Sequence, residues 1–149
     1  MTMNNLRQML EESIAYLRQQ TQWEPHVAVV LGSGLQRLAD ACEHEHAIPY
    51  HEIPHMPRST APSHRGLLLF GTWSGVPVVI MQGRVHYYEG YSMQQVTYGV
   101  RLLRALGVQT LVLTNAAGAL NPLFRRGDVM LIADHINLMG DSPLIGPND

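Results

Sequence analysis

The sequence predicts an α/β fold in which helices flank a mixed, twisted sheet. Stretches with helical and with strand periodicity alternate along the chain, and some predicted strands are wholly apolar, as in buried parallel sheets. Nearly half of the 149 residues (46%) are hydrophobic, which is enough to bury a sizeable core. The length of 149 residues is the usual size of one domain.

The first predicted elements are a helix, a strand and a second helix. Apolar residues at helical spacing predict an amphipathic helix over residues 4–20. The β-branched run 26–31 predicts a buried strand, and Gly32-Ser33-Gly34 forms a turn between this strand and a helix over residues 35–41. Residues 43–63 are rich in His and Pro and predict a strand followed by a mobile loop.

A hairpin, a capped helix and two further strands complete the predicted order. Residues 66–73 and 76–82 are two strands joined at Ser74-Gly75. Ser92 and Gln95 match a capping box, which predicts a helix that runs to about residue 106 and ends at Gly107. Residues 110–114 predict a second buried strand and residues 128–133 a third.

Charge, cysteine content and hydropathy exclude several functional classes. The net charge of -2 provides no basic field for nucleic acid, so a small anion would have to be held by local groups. The single cysteine, Cys42, excludes an internal disulfide, and we predict a buried, inert thiol. The chain shows neither a signal-peptide core nor an apolar run that could span a membrane. We therefore expect a cytoplasmic protein with no nucleic-acid or membrane partner.

The turn Gly32-Ser33-Gly34 is a candidate anion site. Glycines let backbone amides approach an anion at a helix N-terminus, and the Ser33 hydroxyl adds a donor. No Gly-Lys-Ser/Thr follows, and Arg37 occupies the third glycine position of the dinucleotide fingerprint, so both nucleotide loops are excluded. Leu35 excludes the Gly-x-Ser-x-Gly turn of hydrolases. A simple tight turn is the alternative.

A polar group of residues between two glycines follows the hairpin. Alternation along an extended chain would place Arg84, His86 and Tyr88 on one face. Arginine offers a fork of donors for phosphate, histidine adds another, and the tyrosine ring and hydroxyl suit a sugar. The bracketing Gly83 and Gly90 favour a functional turn over an ordinary exposed strand edge.

Two further segments complete the predicted site. Asn115-Ala116-Ala117-Gly118 follows a predicted strand with small side chains that expose backbone amides, although a plain exit from the strand has the same pattern. His64 follows a proline-rich loop that could form a lid over an anion, or it is a surface histidine. The glycine turn and the 115–118 segment both fall at the carboxyl ends of strands, where such sheets bind ligands.

A cluster of histidines invites the alternative of a metal site. However, neither a cysteine or acidic group at ligand spacing nor a helical His-Glu-x-x-His signature accompanies them. A solvated surface is the better interpretation, and we predict no metal site at His44, His46, His51 and His55.

Taken together, these motifs resemble the trimeric purine nucleoside phosphorylases. The resemblance runs from about residue 29 to residue 149 and depends on five strings in the family's order and spacing. Methylthioadenosine phosphorylases are related, but the glycine turn and the alanine pair look more like the purine nucleoside branch. The strings are Leu31-Gly32-Ser33-Gly34-Leu35, Met81-Gln82-Gly83-Arg84, His86-Tyr87-Tyr88-Glu89-Gly90-Tyr91, Thr114-Asn115-Ala116-Ala117-Gly118 and Asp134-His135-Ile136-Asn137-Leu138.

The resemblance implies a homotrimer that catalyses reversible phosphorolysis of purine ribonucleosides or deoxyribonucleosides. The products would be the free base and the pentose 1-phosphate, with inorganic phosphate as co-substrate and no cofactor. The implied roles are phosphate binding by Ser33, His64, Arg84, His86 and Ala116, nucleoside binding by Tyr88, Asn115 and Ala116, and catalysis by His86, Tyr88 and His64.

The sequence also departs from the family pattern. Gln36 replaces a further glycine of the phosphate loop, and Ser63 and Arg65 flank His64 where the family commonly shows Gly-His-Ala-Gly. Family members are nearly twice as long, so we expect residues 1–149 to be the N-terminal part of one α/β phosphorylase domain, with an incomplete sheet. The alternatives are a truncated, inactive phosphate- or nucleoside-binding domain and an α/β anion-binding protein unrelated to nucleosides.

Overall fold

The structure is a computed structural model that describes residues 3–60 and 65–146. Helices and strands alternate along most of this length, and three 3-10 helices lie between them. The helices are α1 (Met3–Gln20), α2 (Met93–Val96) and α3 (Tyr98–Ala105), the strands are β1 (Val27–Leu31), β2 (Glu43–Pro49), β3 (Leu67–Trp73), β4 (Val76–Gln82) and β5 (Thr110–Leu113), and the 3-10 helices are Gln36–Ala41, Tyr50–Glu52 and Tyr87–Glu89.

The five-stranded sheet is mixed, as predicted, with the order β2-β3-β4-β1-β5. β3 pairs antiparallel with both β2 and β4, whereas β1 pairs parallel with both β4 and β5. In the parallel part, Val30 lies beside Met81 on one side and beside Leu113 on the other. The carboxyl ends of these three strands therefore meet at one edge of the sheet, where α/β sheets commonly bind ligands.

Successive side chains of the sheet enter two apolar clusters, one on each face. Val79 and Met81 of β4 pack with Leu102 of α3 and with the apolar stripe of α1. Ile80, between them in sequence, packs in the other cluster with Ala39 of the first 3-10 helix. Burial on both faces explains why β4 is a continuous apolar run instead of an alternating one.

A buried polar group connects the helical layer to the loop that follows the second 3-10 helix. Ser13 of α1 is fully buried, and its Oγ lies 2.6 Å from the Tyr98 hydroxyl of α3. The same Oγ lies 2.6 Å from the carbonyl oxygen of Pro54. Because a buried hydroxyl without partners is costly, these contacts fix the start of the 54–60 loop against the two helices.

Most of the predicted elements are confirmed. These are the first helix, the strand after it, the hairpin at Ser74-Gly75, the strand that begins at residue 43, and the capping box between Ser92 and Gln95. Two helices differ from the prediction. Residues 36–41 form a 3-10 helix, and the helix after Ser92 is interrupted at Thr97, whose hydroxyl donates to the Met93 carbonyl at 2.9 Å. Such back-bonding competes with regular helix geometry.

The predicted third strand at residues 128–133 is wrong. Within the described part of the chain this segment joins no ladder, and Val129 and Leu131 are 94% and 93% exposed. β5 does form, but its predicted burial is also wrong, since Leu113 is 63% exposed. An apolar run becomes a buried strand only where another strand and a covering layer meet it, and the described residues provide neither beyond β5.

Two other properties of the chain bear on its class. Cys42 is a free, buried cysteine, as predicted, and burial raises the pKa of its thiol. Among the helices in the described ranges, none has the length and apolarity needed to cross a bilayer.

Candidate functional site

Three loops leave the sheet at the carboxyl ends of β1, β4 and β5 and meet around Thr114. The Gly32 amide donates to Thr114 Oγ1 at 2.8 Å, and this hydroxyl donates to the Val30 carbonyl at 2.9 Å. From the β4 side, Arg84 Nη1 donates to the Thr114 carbonyl at 2.7 Å. Thr114 therefore joins the glycine turn to the arginine. The sequence prediction missed this role, although Thr114 is the first residue of one of the five family strings.

The glycine at position 32 is required by the close approach of β5. A Cβ added to Gly32 would lie 2.4 Å from the Thr114 carbonyl oxygen, well inside van der Waals contact. Gly34, two residues later, adopts a left-handed φ of 83°, which glycine tolerates best. The predicted tight turn is thus held in a compact form that leaves Ser33 exposed to solvent.

Gln36 braces this turn from behind. Its Nε2 donates to the Gly32 carbonyl at 3.3 Å, and Gln82 Nε2 donates in turn to the Gln36 carbonyl at 3.3 Å. The Gln36 side chain, which replaces a glycine of the family pattern, thus contacts the backbone of the turn. One hydrogen bond within the turn segment and one from β4 therefore restrict the movement of the turn.

Asn115 and Ala116 are exposed and directly follow Thr114. Asn115 Nδ2 donates to the Ala116 carbonyl at 3.3 Å. A cleft of about 970 Å³ begins at Asn115 and continues along the exposed chain; it is lined by Asn115, residues 117–119 and residues 124–132. Ser33, Arg84 and His86 lie outside this lining, so the cleft meets the predicted site at the 115–118 segment, through Asn115, Ala117 and Gly118.

His86 and Tyr88 lie together, but the predicted reason for this is wrong. β4 ends at Gln82, Gly83 has a φ of 107°, and residues 87–89 form a 3-10 turn, so strand alternation does not extend to this segment. Instead the His86 and Tyr88 rings stack, with centroids 4.7 Å apart and planes 17° apart. The Tyr88 side chain remains highly exposed, so its ring and hydroxyl can meet a ligand from solvent.

The buried carboxylate of Glu89 orients His86. Oε1 of Glu89 accepts from the His86 amide at 2.7 Å and from Nδ1 of its imidazole at 2.9 Å. Since a carboxylate only accepts, Nδ1 carries the proton, and Nε2 is the nitrogen on the opposite edge of the ring. The prediction missed this role, although the His-x-x-Glu spacing is that of a capping box, and the structure forms one.

Glu89 is also held by Thr60, from the proline-rich loop. Its Oε2 accepts from the Thr60 amide and from the Thr60 hydroxyl, both at 2.6 Å. Burial acts to raise the pKa of Glu89, but hydrogen bonds from Thr60 and then from His86 outweigh it and lower this pKa to about 2. The carboxylate is therefore ionised at neutral pH.

The loop over residues 54–60 has further attachments. Tyr91 donates its hydroxyl to the Arg58 carbonyl at 2.7 Å, and His55 Nε2 lies 2.5 Å from the carboxylate of Glu12 in α1. His55 has a φ of 62°, which is unusual for a residue with a side chain. The predicted lid residue His64 lies outside the described residues.

The histidines considered for a metal site are dispersed among other contacts. His44 Nδ1 lies 3.2 Å from the Cys42 carbonyl, and His55 pairs with Glu12. In the ranges 3–60 and 65–146, no three His, Cys, Asp or Glu side chains are grouped closely enough to hold a metal ion.

Comparison with known proteins gives a consistent result. Residues 26–149 match the model of the phosphorylase superfamily. The chain is 49% identical over 144 residues to purine nucleoside phosphorylase 1 of Bacillus subtilis, with 97% of this chain and 53% of the relative covered. It is 51% identical over 142 residues to the purine nucleoside phosphorylase of Mus musculus, with 93% and 49% covered.

A solved structure is similar over the same range. The purine nucleoside phosphorylase of Schistosoma mansoni, crystallised with a monocyclic inhibitor, superposes with a TM-score of 0.86 at 41% sequence identity. The match covers 95% of this chain and 53% of that chain. The chain thus spans about half the length of the curated relatives and of the solved structure that it matches.

Proposed function

The chain belongs to the phosphorylase superfamily, and on that premise we propose that the whole protein catalyses reversible phosphorolysis of purine nucleosides. The proposed products are the free purine base and ribose or deoxyribose 1-phosphate. Relatives with about 50% sequence identity carry the name purine nucleoside phosphorylase, which supports the proposal. No observation favours the alternative of an inactive binding domain.

The observation that carries this proposal is the convergence of anion-binding groups at one sheet edge. Thr114 accepts from the Gly32 amide and from the Arg84 guanidinium, and the exposed Ser33 and Ala116 lie one residue after Gly32 and two residues after Thr114. Backbone amides of a glycine turn, a serine hydroxyl and an arginine fork are the groups that proteins use to bind phosphate. The net charge of the chain is slightly negative, so local groups would have to provide the attraction.

Each predicted site residue has a role in this proposal. Ser33, Arg84 and the Ala116 amide hold phosphate. His86 donates to it from Nε2 in the imidazolium form, since its Nδ1–H is held by Glu89. Tyr88 and Asn115 contact the nucleoside, and His64 closes over the phosphate. The glycosidic bond breaks through a cation-like sugar, so a bound phosphate anion next to the ring stabilises the transition state before it attacks the anomeric carbon. The residues that hold the base would come from outside residues 1–149.

Three further properties belong to the same proposal. The working form is a homotrimer located in the cytoplasm. Inorganic phosphate is the co-substrate, and the reaction uses no metal or organic cofactor. Sedimentation analysis of the whole protein tests the trimer, and turnover in the presence of a chelator tests the metal-free reaction.

The decisive experiment is release of hypoxanthine from inosine by the whole protein, with and without phosphate. We expect release only with phosphate. Arg84→Ala should reduce kcat/KM on the order of a hundredfold or more, because a preorganised charged contact is lost. Arg104→Ala is the matched control, since Arg104 Nη1 also donates to a backbone carbonyl, that of Val108 at 3.2 Å, but at the end of α3. Phosphate-independent release, or equal activity of the two variants, would contradict the proposal.

A further inference from the structure

The carboxylate of Glu89 connects two segments that are distant in sequence. Its side chain is 2% exposed, and both of its oxygens are occupied. One oxygen accepts two hydrogen bonds from His86, and the other accepts two from Thr60. A carboxylate offers about four acceptor positions, so this set of four donors fills it completely.

We propose that Thr60 is a positioning residue that acts on His86 through Glu89; this inference rests on the proposed function. The terminal torsion of a glutamate is broad, so one occupied oxygen does not fix the plane of the carboxylate. The Thr60 amide and hydroxyl hold the second oxygen and thereby fix that plane. A fixed carboxylate in turn keeps the His86 ring in one orientation, with Nδ1–H on Glu89 and Nε2 directed away from it.

The charge of Glu89 depends on the same contact. Among the hydrogen bonds that keep its pKa low, the one from the Thr60 side chain contributes most. Removal of this hydroxyl leaves a nearly buried carboxylate with fewer donors, and burial then acts to raise its pKa. Thr60 therefore maintains both the orientation and the ionised state of the group that holds His86.

The chain offers a matched control for mere loosening of the loop. The Tyr91 hydroxyl attaches the same loop through the Arg58 carbonyl, whereas the four donors to Glu89 come from Thr60 and His86. Tyr91→Phe therefore weakens a loop attachment while Thr60 stays on the carboxylate. Thr60→Val removes the hydroxyl and keeps the branched shape, and Thr60→Ser keeps the hydroxyl.

The test uses these three variants of the whole protein. Phosphorolysis of inosine is measured at varied phosphate concentrations, and the pKa of Glu89 is followed through its ¹³C-labelled carboxyl by NMR. We expect Thr60→Val to lower kcat/KM for phosphate roughly tenfold, because Glu89 Oε2 keeps the hydrogen bond from the residue-60 amide and loses the one from the hydroxyl. Its Glu89 pKa should rise from about 2 towards the usual 4.5. Thr60→Ser and Tyr91→Phe should remain within about threefold of the parent protein, with Glu89 unchanged.

Several outcomes would overturn the inference. Thr60→Val with unchanged phosphate kinetics and an unchanged Glu89 titration would show that the contact does not matter. Equal losses in Thr60→Val and Tyr91→Phe would assign the effect to the loop as a whole. If the parent protein shows no phosphorolysis, the proposed function fails, and the Glu89 titration alone then decides whether Thr60 controls this carboxylate.

Discussion

Two apolar segments of similar composition differ in both secondary structure and burial. Residues 27–31, Val-Ala-Val-Val-Leu, form the central strand β1 and are almost wholly buried. Residues 129–132, Val-Met-Leu-Ile, are exposed and irregular. The difference lies in their neighbours, since β1 has β4 on one side and β5 on the other, with an apolar cluster on each face. Composition makes a strand possible, and packing partners decide whether it forms.

Truncation of an apolar side chain should give the largest difference in unfolding free energy between the packed sheet and the trailing segment, residues 114–146. Phe70→Ala in β3 should lower the free energy of unfolding by about 3–5 kcal/mol, because Phe70 is fully buried and leaves a cavity. Val129→Ala should change it by less than about 0.5 kcal/mol. Urea unfolding of the 149-residue chain measures both. Similar losses at the two positions, or no cooperative transition, would break the comparison.

An intermediate effect is expected where the two regions meet. Gly32→Ala should cost about 1–3 kcal/mol, because the new methyl group would overlap the Thr114 carbonyl and displace β5. Gly118→Ala serves as the control in the trailing segment, since an added Cβ there meets nothing within 4 Å. Thermal unfolding of both variants gives the comparison. A neutral Gly32→Ala variant would mean that the contact between turn and strand is loose.

The smallest contrast concerns two serines that each accept a backbone hydrogen bond. Ser92→Ala should cost about 1 kcal/mol, because it removes the N-cap of α2 and one half of a capping box. Ser142→Ala removes an acceptor of the Leu144 amide at 3.2 Å in the trailing segment and should cost less than about 0.5 kcal/mol. Chemical denaturation of the variants checks both values. A larger loss at Ser142 would indicate hidden order in that segment.

The elements that could be predicted from sequence are those whose pattern is local. The hairpin at Ser74-Gly75, the amphipathic α1 and the capping box at Ser92 each depend on residues close together in the chain, and all three are confirmed. The strand at 128–133 and the burial of β5 depend on partners elsewhere, and there the prediction was wrong. Periodicity records the face a residue could bury, and it does not reveal whether that face is covered.

The candidate site shows the same division. The anion-binding residue types at Ser33, Arg84 and His86 could be identified from the chain, and their roles remain predictions. The contacts that organise them could not be identified, because they join residues that are distant in sequence. The partners of Thr114 lie 30 or more residues away, and the partner of Thr60 lies 29 residues away. Strand alternation predicted that His86 and Tyr88 share one face. In the structure Gly83 has a positive φ and residues 87–89 form a 3-10 turn, and the two rings meet by stacking.

The hydroxyl of Thr114 has a consequence for how this protein can change over time. It accepts from the turn after β1 and donates into β1 itself, while the carbonyl of the same residue receives the arginine from the loop after β4. Loss of this hydroxyl removes two contacts with residues 30–32 at once, whereas the carbonyl that receives Arg84 belongs to the backbone and is present with any residue at position 114. Directed evolution should therefore accept serine at position 114 and few other residues, because serine keeps the hydroxyl that both accepts and donates.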